Sequence, residues 1–211
     1  MSQGTVGGSG SAPRFKTREG VESFWERMRR EHRLEGNLTV PGFFSRTARR
    51  LPDKPALLFE QYAYTYRRLF EAIAGVARHL QDETGVKPGD RVALLLENSD
   101  LYNIWYLGIL AIGAVAVPLN TKLTPREIEF ILADSGTFLL LSEERFEAAI
   151  ADLVPEVRSH LSLALLVRQA QPPASSWDLE SAAVAMEEPA AINYTSGTTG
   201  KPKGVVHTHR S

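Results

Sequence analysis

Short apolar runs alternate with amphipathic segments between residues 91 and 167, and this alternation constrains the fold more than any other feature. The apolar runs have the length and composition of buried strands, and they occupy residues 91–96, 114–118, 137–141 and 163–167. Strands that alternate with helices are joined by right-handed crossovers and pair in parallel. The sequence therefore predicts an α/β fold with a largely parallel, doubly wound sheet.

The segments between these runs have the apolar spacing of helices, predicted at residues 99–112, 124–134 and 143–153. The second helix has a complete start signal. Thr124 is its N-cap, Pro125 takes the first helical position, and Glu127 follows the cap by three residues.

Residues 38–90 are predicted to form two helices and a hairpin. Residues 56–59 and 62–66 have the pattern of paired strands, and Thr65 is placed to cap the helix that follows. Residues 41–51 are predicted to form a short helix before them. The side chains expected on its inward face are those of Phe43, Phe44, Thr47 and Ala48.

An uncharged run over residues 101–119 is long enough to span a bilayer. Gly113 divides it, however, into a helix-like half and a strand-like half, and buried elements of α/β proteins also have continuous apolar sequences. We therefore expect a buried helix and a buried strand here, with no transmembrane segment.

The charge balance and the lack of cysteine exclude several classes of function. Lys and Arg number 24 against 25 Asp and Glu, a net charge of -1, so nothing draws the chain as a whole to nucleic acid. The sequence has no cysteine, which excludes disulfides, thiolate catalysis and cysteine-ligated metals. These features fit a cytoplasmic protein.

Three regions are predicted along the chain. Residues 1–13 are rich in glycine and serine and lack the apolar stretch of a secretory signal, so a disordered leader is expected. Residues 14–37 are expected to form a peripheral helix, and residues 38–211 a single α/β domain.

A loop of small residues near the end of the chain carries the chemistry. An apolar strand leads into Thr195, Ser196, Gly197, Thr198, Thr199 and Gly200, and a second strand begins near Lys203. Glycines let the backbone approach a ligand closely, successive N–H groups can surround an anion, and a lysine adds positive charge. The spacing does not match a Walker A motif, because Lys201 is followed by Pro202 rather than by Ser or Thr.

The loop and its flanks, residues 194–204 (YTSGTTGKPKG), resemble the signature of the AMP-forming synthetases. That family includes acyl-CoA synthetases, luciferases and peptide-synthetase adenylation domains. Residues 64–69 (YTYRRL) and 110–119 (LAIGAVAVPL) are similar to two earlier family motifs, and residues 120–128 (NTKLTPREI) resemble the acyl-CoA synthetase branch.

The resemblance implies an enzyme that activates a fatty or aryl carboxylic acid with ATP, releases pyrophosphate, and passes the acyl group to CoA. It implies that Thr195 to Gly200 hold the β- and γ-phosphates, that Lys203 acts catalytically by neutralising them, and that Mg²⁺ is required. Lys201 is expected to be a solvated surface residue. His207 and His209 alternate near the chain's end but lack a carboxylate partner, so a structural role is favoured over metal binding.

The chain departs from the family pattern at its end, since Ser211 follows the loop closely and the expected downstream motifs are absent. We therefore expect an incomplete, N-terminal part of the large domain, inactive alone and partnered by a missing C-terminal portion. The alternative is a non-catalytic nucleotide-binding or interaction module that keeps the loop.

Overall fold

A computed structural model of the protein describes residues 38–151, 160–162, 184–195 and 201–210. All of them belong to the compact unit Asn37–Ser211. Four predictions fall outside the described residues: the leader, the peripheral helix, the strand at 163–167 and loop residues 196–200.

Within the described ranges, six strands form a central sheet and two more form a hairpin beside it. The elements in chain order are α1 (Val40–Arg50), β1 (Pro55–Phe59), β2 (Tyr62–Thr65), α2 (Tyr66–Asp82), β3 (Arg91–Leu95), α3 (Asp100–Ala111), β4 (Val115–Pro118), α4 (Pro125–Ser135), β5 (Leu139–Ser142), a 3-10 turn (Glu144–Phe146), α5 (Glu147–Ile150), β6 (His160–Ser162), β7 (Pro189–Thr195) and β8 (Lys203–Thr208).

The strand order of the large sheet is β6-β5-β3-β4-β7-β8, and every pair is parallel except β7 with β8. The chain passes from β3 to β4 on one side and returns to β5 on the other. The predicted largely parallel α/β sheet is confirmed.

Alternate residues of each inner strand belong to two separate hydrophobic clusters. In β3, Val92 and Leu94 pack in a cluster with α2 and α3, whereas Ala93 and Leu95 pack in a second cluster with α4. Since side chains alternate between the faces of a strand, helices cover both faces of the sheet. This is the doubly wound arrangement that the sequence predicts.

The uncharged run forms a helix and a strand, as predicted. α3 ends at Ala111, Gly113 has a φ of 74°, and β4 begins at Val115. The left-handed conformation at Gly113 turns the chain from the helix into the sheet. No helix among the described residues is both long enough and apolar enough to cross a bilayer.

The predicted helix caps are also confirmed. The Thr65 side chain accepts the Arg68 N–H at 3.3 Å, and Thr124 forms a capping box with Glu127. Glu127 accepts hydrogen bonds from the Thr124 backbone and hydroxyl, and these bonds lower the pKa of its carboxyl.

The predicted inward face of α1 is wrong at Phe43, whose side chain is 51% exposed. The buried residues of this helix are Pro41, Gly42, Ser45 and Ala48. Small side chains allow the α1 backbone to lie close to the neighbouring helices, so the bulky Phe43 faces outward. Its ring lies 6.0 Å from the Arg46 guanidinium.

Candidate functional site

The strands that flank the small-residue loop form an antiparallel hairpin. The register places Tyr194 opposite Gly204 and Thr195 opposite Lys203, so the connection comprises residues 196–202. β7 runs parallel to β4. The loop after β7 therefore leaves the sheet at the carboxyl end of the parallel strands, where open α/β sheets bind their ligands.

Two of the predicted site residues face each other at the base of this loop. Directly opposite residues of an antiparallel pair project from the same face, with Cβ atoms about 4.5–5.5 Å apart. Thr195 and Lys203 occupy such a pair, and both are exposed. The Lys203 ammonium forms no ion pair within the described part of the chain. A hydroxyl and an unpaired cation are thus available together for an anionic ligand.

On the opposite face of the hairpin, Tyr194 connects β7 to helix α4. Its hydroxyl donates a hydrogen bond to Asp134 Oδ2 at 2.6 Å, and its ring packs against the cluster that α4 covers. Burial raises the pKa of the Tyr194 phenol well above its usual range, and the hydrogen bond to the Asp134 carboxylate raises it further. The phenol therefore keeps its proton and remains a donor at physiological pH.

Gly204 provides the space that the Tyr194 ring occupies. A Cβ atom at this position would lie 3.0 Å from Tyr194 Cζ and 3.0 Å from Ile192 Cγ2. Real Cβ atoms are rarely this close to their neighbours, so any larger residue would displace the ring. The glycine is required here for space.

The two histidines near the end of β8 differ in environment. His207 is half-buried on the strand, whereas His209 lies in the turn after it and is 7% exposed. Burial lowers the pKa of His209 despite the opposing charge of Glu188. No group of three or more His, Cys, Asp or Glu that could hold a metal occurs in the described ranges.

A second region at the carboxyl ends of the strands is acidic. A cavity of about 440 Å³ lies where β3 and β5 end, and its charged lining residues are Glu60, Asp100, Glu143, Glu144 and Arg145. Four carboxylates against one guanidinium repel phosphate at close range. The β7–β8 hairpin, which carries Lys201 and Lys203, is therefore the better candidate for a phosphate site.

Sequence reasoning located part of this site. The structure places Thr195 opposite Lys203, and their role in phosphate binding stays a prediction, while Ser196, Gly197, Thr198, Thr199 and Gly200 lie outside the described residues. Asp134 was missed, because an exposed aspartate at the end of a helix has the pattern of a solvated residue. Only the fold brings it to Tyr194, which is 60 positions away.

Comparison with known protein families gives a match over most of the chain. The family model described as AMP-binding enzyme matches residues 44–211. This range contains all six strands of the central sheet, including the β7–β8 hairpin.

Two curated relatives illustrate the range of proteins that are similar to this one. The fatty acid–[acyl-carrier-protein] ligase ScoC of Streptomyces coeruleorubidus is 40% identical over 162 residues, covering 76% of this chain and 31% of the relative. The 3-hydroxybenzoate–CoA/4-hydroxybenzoate–CoA ligase of Thauera aromatica is 35% identical over 174 residues, covering 78% of this chain and 33% of the relative.

The fold is also found in solved structures. The inhibitor-bound N-terminal domain of FACL13 from Mycobacterium tuberculosis superimposes with a TM-score of 0.69 at 32% identity, covering 81% of this chain and 44% of that domain. The chain spans about a third of the length of the two curated relatives.

Proposed function

The chain belongs to the family of AMP-binding enzymes, and from that premise we propose that it supplies the phosphate-binding part of an ATP-dependent carboxylate–CoA ligase. The observation that carries the proposal is the exposed pair Thr195 and Lys203, which flanks the small-residue loop within the matched region. The domain division is part of the proposal: a leader at 1–13, a peripheral helix at 14–37 and a partial AMP-binding domain from residue 38.

The proposed reaction joins a carboxylic acid to AMP. A carboxylate oxygen attacks the α-phosphorus of ATP, a new O–P bond forms, and the bond to the leaving pyrophosphate breaks. The carboxylate is already ionised at neutral pH, since carboxyl groups have a pKa of about 4, so no general base is needed. The main obstacle is the approach of an anion to a polyanion.

The residues of the hairpin meet this difficulty by binding and neutralising the phosphates. Thr195 to Gly200 would hold the β- and γ-phosphates through backbone N–H groups and hydroxyls. Lys203 would neutralise the charge that grows on the departing pyrophosphate. Lys201, exposed on the connection, would remain in solvent.

Two further components complete the proposal. Mg²⁺, when bound with ATP, would neutralise phosphate charge, and it needs only one or two protein carboxylates beside the phosphate oxygens. CoA would accept the acyl group. Fatty and aryl acids are both candidate substrates, because the curated relatives are named for acids of both kinds. A cytoplasmic location fits a ligase that uses ATP and CoA.

Carboxylate-dependent exchange of labelled pyrophosphate into ATP tests this function, with a panel of fatty and aryl acids. We expect exchange with at least one acid in the protein at its full natural length, and only background with the 211-residue chain alone. The chain would lack several groups that act together, and positioning by such groups accounts for about 7–11 kcal/mol of barrier lowering.

Two results would contradict the proposal. ATP binding by calorimetry without exchange for any acid in the full-length protein would favour a non-catalytic nucleotide-binding module. Exchange by the purified 211-residue chain that survives repurification would show that the chain is catalytically sufficient.

A further inference from the structure

The loop end of the β7–β8 hairpin, where Thr195 and Lys203 lie, extends beyond the pairing of β7 with β4. β7 pairs with β4 through Ala191 and Ala116, whereas Thr195 and Lys203 pair, among the residues that the structure describes, with each other alone. The ladder between β7 and β8 fixes the two strands relative to one another. It does not by itself fix the orientation of Lys203 relative to the sheet.

Tyr194 provides that attachment through two independent contacts. Its ring fills the space above Gly204, where a Cβ would be 3.0 Å from Cζ, so the ring is held against β8. Its hydroxyl donates to Asp134 Oδ2 at 2.6 Å, so the far end of the ring is held by α4. Tyr194 therefore connects the strand that carries Lys203 to a helix on the face of the sheet.

The helix end that carries Asp134 is itself fixed. Gly136 closes α4 in the left-handed conformation, with a φ of 60° and its N–H bonded to the Ala133 and Leu132 carbonyls. Arg91, at the start of β3, donates from Nε to the Ser135 carbonyl at 3.0 Å and from Nη2 to the Gly136 carbonyl at 2.6 Å. A charged side chain of the inner sheet thus holds the end of α4 in place.

We propose that Asp134 and Tyr194 act as a positioning pair. The pair sets the orientation of the loop end of the β7–β8 hairpin, and hence of Lys203, during adenylation. The inference rests on the proposed function. Neither residue is among those proposed to hold phosphate, and the pair acts through β8, against which the Tyr194 ring is held. Small displacements of a charge-neutralising group lower the rate of a reaction much more than they lower the affinity for a distant substrate.

A double-mutant cycle in the full-length protein tests the pair, with pyrophosphate exchange as the readout. Tyr194→Phe keeps the ring and removes the donor, and Asp134→Ala removes the acceptor. We expect each to lower the adenylation rate by about 10- to 100-fold, with the KM for the acid unchanged. The double variant should be no slower than either single variant, since both remove the same bond. Asp134→Asn, which keeps an acceptor oxygen, should recover most of the rate.

The molecule contains a matched control in a second tyrosine–aspartate bond. Tyr64 donates to Asp100 Oδ2 at 2.7 Å, and this bond joins β2 to the start of α3 rather than β7 to α4. Tyr64→Phe should destabilise the fold but leave the exchange rate of the remaining folded protein unchanged. Equal rate losses in Tyr64→Phe and Tyr194→Phe would mean that the effect of Tyr194→Phe comes from lost stability rather than from lost positioning. That result would overturn the inference.

A second measurement does not depend on activity. In the 211-residue chain, amide hydrogen exchange at Lys203 and Gly204 should become faster in Tyr194→Phe and Asp134→Ala, while exchange at Leu94 stays slow. Unchanged protection at Lys203 would contradict the anchoring role. If the full-length wild type shows no pyrophosphate exchange, the proposed function fails. If it exchanges and Tyr194→Phe matches its rate, the positioning pair alone is refuted.

Discussion

Strands β3 and β8 belong to one sheet but differ in their exposure to water. Residues 92–95 of β3 are at most 1% exposed, and their side chains fill the two hydrophobic clusters. In β8, residues 203–206 are all exposed, with Val206 at 56%. A side chain that is used for packing is not available to a ligand. The inner sheet therefore forms the core, and the exposed side chains of the hairpin at its edge are accessible to a ligand.

A truncation in the inner sheet should have the largest effect. Leu94→Ala removes a side chain that is 0% exposed, and we expect the free energy of unfolding to fall by about 2–5 kcal/mol. Denaturation of the 211-residue chain in urea measures it. Leu58→Ala, at a leucine that is 70% exposed on β1, is the control and should change stability by no more than about 0.5 kcal/mol. Equal shifts for the two leucines would remove the contrast between the regions.

The contrast between the buried inner sheet and the exposed hairpin predicts that a substitution in the hairpin lowers activity rather than stability. Lys203→Ala should leave stability nearly unchanged, but lower the rate of adenylation by the full-length protein by about 10²–10³-fold, because a preorganised positive charge is lost. Lys201→Ala is the matched control and should leave the adenylation rate nearly unchanged. A wild-type rate for Lys203→Ala, or an equal loss for both lysines, would show that Lys203 has no special role.

A glycine in the helical layer offers a smaller test of close packing. A Cβ at Gly108 of α3 would lie 2.5 Å from Val76 Cγ1 of α2, and valine is restricted in χ1. Gly108→Ala should therefore cost about 1–3 kcal/mol of stability through overpacking, despite the better helix propensity of alanine. Gly85→Ala is an informative comparison, because Gly85 has a φ of 71° but open space around it. A stabilising effect of Gly108→Ala would mean that α2 and α3 separate easily.

The smallest expected effect concerns pH and the end of the hairpin. Burial lowers the pKa of His209 in the folded state, so the unfolded chain binds its proton more readily. This destabilises the fold as the pH falls below the ordinary histidine value of about 6.5, with a slope of at most about 1.4 kcal/mol per pH unit. Urea unfolding at pH 7.5 and 5.5 measures the change. His209→Gln should flatten this dependence; an unchanged pH profile would contradict the role of burial.

Much of the fold could be predicted because its signals are local. The capping residues Thr65 and Thr124 act within their own helix turns, and Gly113 divides the uncharged run where the chain reverses direction. Phe43 was placed incorrectly because both faces of α1 have apolar residues. Only contact with the neighbouring helices shows that the face with small residues is the buried one.

The sequence by itself determined the alternating α/β pattern, the helix caps, and the loop whose flanking residues are Thr195 and Lys203. These depend on short-range spacing, which a chain carries in any conformation. The tertiary structure alone decided three things: the antiparallel register that sets Lys203 opposite Thr195, the space above Gly204, and the bond from Tyr194 to Asp134. Each joins residues that become neighbours only when the sheet and its helices pack, because the distance between them along the chain gives no signal of their contact.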